Sequence, residues 1–223
     1  MKIGVIGVGV VGGATAHVIG KEHQLFLYDT FKPEYKSKGN LEALAKESEV
    51  VFVCVPTPMK KSGEIDYSAI YNSLESLKEE TDSIRRTSSD LLVTIRSTAV
   101  SGTTDELARK YPFRFAFNPE FLTEKNAVKD MENTDRIVLG VNDDRSKEDL
   151  LNIYKSLFPS AKYTVVPIKE AEMIKYAANV MLAGQIGLAN EIYQICRHTG
   201  VNYEVVKEAI LQDPRIGRNI SVP

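Results

Sequence analysis

The sequence predicts an α/β fold: a doubly wound parallel sheet, followed by a long connecting helix and the start of an α-helical domain. Three observations support this. Short β-branched runs alternate with amphipathic stretches as far as Pro167, the pattern of a parallel sheet covered on both faces by crossover helices. A glycine-rich turn follows the first of these runs. Beyond Pro167 the alternation stops, and Ile168 to Thr199 passes without a proline.

The elements follow in order. Lys2 to Ile6 reads as a strand, Gly7-Val8-Gly9-Val10-Val11-Gly12 as a turn, Ala14 to Ile19 as a helix, and Gln24 to Tyr28 as a second strand closing on Asp29. Residues 3 to 19 mimic a secretion signal, with Ala14-Thr15-Ala16 as its cleavage site, but glycines at 4, 7, 9, 12, 13 and 20 make a poor apolar helix. Further buried strands are expected at Val50 to Val55, Leu91 to Ile95, Phe113 to Phe117, Arg136 to Val141 and Tyr163 to Val166. Helices are expected at Tyr67 to Glu80, Thr103 to Lys110 and Ser146 to Leu157. Ile168 to Thr199 carries apolar residues at helical spacing, with Pro167 at its start and Gly200 at its end. Unbroken, it spans about 48 Å at 1.5 Å per residue; Gly184 and Gly187 allow a kink. A short helix, Tyr203 to Leu211, comes last.

Composition narrows the function. The chain has 223 residues, 43% apolar and 26% charged, enough for one large or two small domains. Its 28 Lys and Arg nearly balance 30 Asp and Glu, for a net charge of −2. Neither a nucleic-acid nor a membrane partner is expected. Cys54 and Cys196 lie far apart, which excludes a disulfide scaffold or zinc knuckle and suits a reducing cytoplasm.

The glycine motif has the context that gives it mechanical meaning, between a strand and a helix in a Rossmann-like unit. Gly7 permits the tight turn, Gly9 the approach of a pyrophosphate, and Gly12 close packing of helix on strand. Asp29 is placed to accept hydrogen bonds from an adenosine ribose, which favours NAD over NADP, while Lys32 weakens that preference. Val55-Pro56-Thr57-Pro58 and Ser97-Thr98-Ala99-Val100-Ser101-Gly102-Thr103-Thr104 follow later strands and set hydroxyls at the sheet edge where ligands bind. Taken alone, the first reads better as a rigid strand exit, and an N-cap at Thr103 or Thr104 is the plain alternative for the second. Asn118-Pro119-Glu120-Phe121-Leu122-Thr123-Glu124 places two carboxylates at the same edge, where solvated surface acids are the usual reading. Lys175 and Asn179 share a helix face; in a cleft they hold a substrate hydroxyl, with Lys175 as proton acceptor, and otherwise they are an ordinary exposed pair. His17, His23 and His198 read as surface residues, Cys54 and Cys196 as structural, and Lys60-Lys61 and Arg85-Arg86 as solvated loop charges.

Taken as an ordered set, GVGVVG with Asp29, VPTP, STAVSGTT, NPEFLTEKNAVKD with DRIVLG, EMIKYAANVMLAGQIGLANEIYQIC and DPRIG resemble the UDP-glucose/GDP-mannose dehydrogenase family. Within it the UDP-glucose 6-dehydrogenase branch is most similar. The resemblance implies NAD as cofactor, bound by Gly7, Gly9, Val10, Val11, Gly12 and Asp29, with Pro56, Thr57, Ser97, Thr98 and Glu124 lining its cleft. It places Glu120, Phe121, Leu122, Glu124, Lys175 and Asn179 near a nucleotide sugar, UDP-glucose first. Lys175, Asn179, Glu120 and Thr98 would act in catalysis, with no metal. The family reaction oxidises a primary alcohol to a carboxylate with two NAD, through a cysteine thiolate that captures the aldehyde. The resemblance implies an NAD domain at 1–167 and a long helix opening a central dimerisation domain at 168–223. The family's cysteine segment and C-terminal nucleotide-sugar domain would follow DPRIG, where this chain ends. Ala99 and Ser101 depart from the family's valine and proline. The expectation is a cytoplasmic homodimer of polysaccharide biosynthesis that binds NAD without completing the oxidation. A β-hydroxyacid dehydrogenase, or a silent NAD-binding assembly module, is the alternative.

Overall fold

The computed structural model describes residues 1–214 and residue 216. The chain divides into two compact units, Met1–Lys175 and Tyr176–Pro223. In the first, among the described residues, a seven-stranded sheet has the order β2-β1-β3-β4-β5-β6-β7. Its strands are β1 (Lys2–Ile6), β2 (Gln24–Tyr28), β3 (Val50–Val53), β4 (Leu92–Ile95), β5 (Arg114–Phe117), β6 (Arg136–Val141) and β7 (Lys162–Val166). The helices of this unit are α1 (Val10–Ile19), α2 (Lys38–Glu47), α3 (Ser68–Ser83), α4 (Thr103–Lys110), α5 (Ala127–Glu132), α6 (Asp144–Leu157) and the first turns of α7 (Ile168–Thr199).

Central β3 and β4 are buried along their whole length, which is why VVFV and LVTI read as unbroken apolar runs. Their alternate side chains enter different cores. Val50, Phe52 and Leu92 join α1, α5 and α6 on one face. Val51, Val53 and Val93 join α2, α3, α4 and the start of α7 on the other. All neighbours pair in parallel except β5 and β6, which meet antiparallel through Ala116–Val141 and Phe117–Gly140. The expected parallel sheet is therefore mostly parallel, with this one antiparallel pair. The connection from Asn118 to Asp135 contains one short helix, α5, and no full crossover, so the chain turns back beside β5.

Element bounds otherwise fall within a few residues of those the sequence predicts, with α2 and α5 as additions. Helix α2 has its own start signal, Ser37, whose hydroxyl accepts from the Asn40 N–H at 3.1 Å. Arg86 is not a solvated loop charge: its guanidinium donates to the carbonyls of Ala45, Lys46 and Ser48 at the end of α2. Neither Thr103 nor Thr104 caps α4, whose N-cap is Gly102.

The second unit contains α7 from Tyr176 onward and α8 (Tyr203–Ile210). Helix α7 runs unbroken for 32 residues through Gly184 and Gly187. It ends at Gly200, whose φ of +72° is left-handed, and the Val201 N–H closes back on the Cys196 carbonyl at 2.9 Å. The Tyr193 and Tyr203 rings pack edge to face at 5.4 Å. In DPRIG, Arg215 and Gly217 lie outside the described residues. Among the described residues no helix is long and apolar enough to cross a membrane.

Candidate functional site

The carboxyl ends of β1, β2, β3 and β4, with Glu120 after β5, surround a cavity of about 470 Å³. It lies where the strand order reverses between β1 and β3, the place where open α/β sheets bind ligands. Gly7, Gly9, Val10, Val11, Asp29, Pro56, Thr57, Ser97 and Thr98 all line it, joined by Phe31, Lys32 and Arg96.

The glycines divide the work of making this floor. Gly7 has a φ of +86° and its N–H donates to the Tyr28 carbonyl at 2.9 Å, which turns the chain off β1. Gly12 does not line the cavity: a Cβ there would stand 1.8 Å from the Gly7 carbonyl oxygen, so α1 packs on the turn only because the side chain is missing. At Gly9 a Cβ would meet nothing within 4 Å, and the backbone faces open space. Helix α1 has no side-chain cap and no acidic residue in its first turn. Helices α2 and α6, by contrast, are capped by Ser37 and Asp143. The uncapped N–H groups beside an open backbone fit a pyrophosphate.

Asp29 is buried at the wall of the cavity. Its Oδ2 accepts from the Val8 N–H at 2.6 Å, and Oδ1 from Phe31 and Lys32 at 2.7 and 3.1 Å. Burial alone would raise its pKa; the bonds from Phe31, Val8 and Lys32 outweigh that and hold the carboxyl below the ordinary aspartate value. The hydroxyls opposite are also engaged. Thr57 Oγ1 donates to the Thr98 carbonyl at 3.0 Å and Ser97 Oγ to the Val55 carbonyl at 2.6 Å, so the ends of β3 and β4 are stitched together while both oxygens can still accept.

Lys175 and Glu120 are not surface charges. The Lys175 ammonium, 5% exposed as a residue, donates to the Glu120 main-chain carbonyl at 2.6 Å and to Oε1 at 2.8 Å. Glu120 Oε2 accepts from the Leu122 N–H at 2.7 Å. Phe121 lies under Arg136, 4.2 Å from guanidinium to ring centre. Glu124 is exposed and borders a shallow depression shared with Gly9 and Val10. Asn179 is exposed and belongs to the second unit, and neither it nor Lys175 lines the cavity, which Lys175 approaches through Glu120.

Two further residues, Arg96 and Tyr154, were not singled out by the sequence reading. Arg96, buried just past β4, donates to Asn118 Oδ1 and, at 2.7 Å, to the Tyr154 hydroxyl. Its only signal is a charge closing an apolar strand. Burial pushes the Tyr154 phenol up to about 12 and the Cys54 thiol up to about 11, so Cys54 stays protonated at neutral pH. Cys196 is buried within the second unit. His17 faces Glu132 on the surface, and His23 and His198 bond main-chain carbonyls.

Residues 28–158 match the NAD binding domain of the UDP-glucose/GDP-mannose dehydrogenase family, and residues 169–223 match its central domain. The chain belongs to this dehydrogenase family. A UDP-glucose 6-dehydrogenase of Rickettsia felis is 36% identical over 180 residues, covering 78% of this chain and 39% of that protein. A UDP-glucose dehydrogenase structure from Pyrobaculum islandicum superposes with a TM-score of 0.83 at 30% identity, covering 98% of this chain and 58% of that one. A ternary complex of GDP-mannose dehydrogenase from Pseudomonas aeruginosa gives 0.82 at 28% identity, with 99% and 58% covered. The chain thus spans well under two thirds of the length of these relatives. The two family matches meet at the Lys175–Glu120 pair: Glu120 lies in the NAD-binding part and Lys175 in the central part.

Proposed function

We propose that this chain is the cofactor-binding part of an NAD-dependent nucleotide-sugar dehydrogenase whose substrate is UDP-glucose, oxidised to UDP-glucuronate. The observation that carries this reading is the buried Lys175 bonded to Glu120, which itself lines a glycine-floored cleft. A buried ammonium beside the cleft suits a site where negative charge develops on a sugar oxygen.

In this reading the open backbone at Gly9 and the first turn of α1 hold the pyrophosphate, and Asp29 takes the adenosine ribose. When bound, NAD accepts the hydride. An ammonium has three N–H donors, and Glu120 occupies two of those on Lys175, which leaves one to hold the oxygen of the sugar alcohol. Glu120 holds Lys175 in place, and Glu124 stands across from the α1 N-terminus, where it borders the cofactor. The protonated Cys54 does not supply the nucleophile for the second oxidation. Domain limits at 1–167 and 168–223, a cytoplasmic setting, and a homodimer formed through Ile168 to Thr199 complete the reading.

Calorimetric titration with NAD and NADP tests the cofactor half; NAD is expected to bind at least tenfold more tightly, about 1.4 kcal/mol. NADH formation is then followed with UDP-glucose, GDP-mannose and a 3-hydroxy acid. Oxidation of the 3-hydroxy acid would sink the nucleotide-sugar reading, and a preference for GDP-mannose would move the substrate within the family.

A further inference from the structure

Helix α7 presents two charged side chains on its buried side within the first unit, Glu172 and Lys175, three residues apart and therefore neighbours on the helix surface. Lys175 grips Glu120. Glu172 does something the functional reading leaves unused. It is fully shielded from solvent, and its Oε2 accepts from the Gly102 N–H at 2.6 Å and its Oε1 from the Thr104 N–H at 2.8 Å. These N–H groups open α4. The N-cap Gly102 has no side chain to offer, and Thr103 Oγ1 donates back to the Val100 carbonyl at 2.8 Å instead. A carboxylate borrowed from another helix satisfies the orphan donors and complements the positive end of α4.

The segment that ends at this cap is the one that presents Ser97 and Thr98 to the cleft. Ser97 and Thr98 are also bonded to the β3 end, and the residues between them and α4 reach α7 or a neighbouring loop. Ser101 Oγ donates to the Lys169 carbonyl at 3.1 Å, and the Val100 N–H donates to the Tyr67 hydroxyl at 3.0 Å. We propose that Glu172 is a positioning residue of the cofactor cleft: by capping α4 it sets where Ser97 and Thr98 stand relative to Glu120, which Lys175 holds from the same turn of α7. Two walls of the cleft are then tied to one rigid helix in addition to their loop bonds.

This inference rests on the NAD reading, and the sheet order says which part of the cofactor registers it. Asp29 closes β2 at one edge, whereas Ser97 and Thr98 follow β4 on the far side of β1 and β3. With the adenosine ribose at Asp29, the nicotinamide half extends toward β4. Loosening residues 97 and 98 therefore weakens NAD and spares ADP, whereas a general loss of structure weakens both.

The test uses the 223-residue chain with Glu172→Gln, which keeps one acceptor oxygen and loses the charge, and with Ser101→Ala, a milder release of the same segment. Calorimetry reads the Kd for NAD and for ADP, and amide hydrogen exchange reads residues 96–104. Glu172→Gln is expected to raise the NAD Kd by about threefold to tenfold, to leave the ADP Kd within about twofold, and to speed exchange at Ser97 and Thr98. Ser101→Ala should give the same pattern more weakly, and it decides the matter if Glu172→Gln does not fold. Equal weakening of both ligands, or an unchanged NAD Kd in a folded variant, overturns the proposal and leaves a structural cap. If the unaltered chain binds neither ligand, the NAD reading fails by itself; exchange then decides for Glu172, with acceleration confined to Gly102–Thr104 counting against it.

Discussion

A methyl group added at Gly12 would lie 1.8 Å from the Gly7 carbonyl oxygen, whereas one added at Gly9 would meet nothing within 4 Å. The same substitution at two glycines of one motif therefore separates folding from binding. Gly12→Ala must push α1 off the β1 turn and is expected to cost about 3 kcal/mol of stability, read as a lowered urea midpoint. Gly9→Ala should melt with the parent chain yet lose at least about tenfold in NAD affinity, because the methyl fills the space the pyrophosphate needs. Asp29 gives the matching electrostatic prediction. Its folded pKa lies below the ordinary 3.8, so its contribution is fully present above the unfolded value and disappears as pH falls through the lower folded one. Asp29→Asn should therefore be less stable than the parent by about 1–2 kcal/mol at pH 7. The gap should narrow below about pH 4 in urea titrations across pH.

Helix ends explain which elements the sequence disclosed. Helix α7 announces itself through Pro167, a long apolar periodicity and Gly200, and the structure returns the same 32 residues. Helix α2, which the sequence reading passed over, carries a local start signal in Ser37, with Leu41, Leu44 and Ala45 buried at helical spacing, but its far end is finished by Arg86, some 40 residues away in sequence. Helix α4 is likewise begun by Glu172, a residue that no local pattern links to it. Local chemistry is legible one residue at a time, while a cap delivered from another element depends on a fold not yet built. Arg86→Ala removes donors to three carbonyls at the α2 end. It should cost about 1–2 kcal/mol, and Arg86→Lys should recover only part of that, since one ammonium cannot match the planar fork. Faster hydrogen exchange in the last turn of α2 would mark the loss as local.

For the whole molecule, period and punctuation were enough to give the sheet and the edge where the cleft lies, because in a doubly wound fold the strand ends must meet at one edge, while the family resemblance supplied most of the lining residues and missed Phe31 and Arg96. The reversal of β6 and the burial of Lys175 were not legible, since both depend on how distant segments pack. The same distinction bears on the second unit. Tyr176, Val180, Leu188 and Ile195 are exposed on α7, and Gly184 and Gly187 lie on the stripe that joins Tyr176, Val180 and Ile195. If the chain were a monomer in solution, Gly184→Ala and Gly187→Ala would each stabilise an exposed helix interior by about 1 kcal/mol, since a methyl at either position touches nothing within 4 Å. In the proposed homodimer the sign reverses, because the glycines let two helices approach and an added methyl at the seam costs about 1–3 kcal/mol. The chain is therefore expected to sediment at twice 24.8 kDa at tens of micromolar. The double alanine variant should sediment as a monomer, and its melting temperature, unlike that of the parent, should not depend on protein concentration. A parent chain that stays monomeric across that range, with both alanines raising its melting temperature, would remove the dimer from the reading and leave the cofactor cleft untouched.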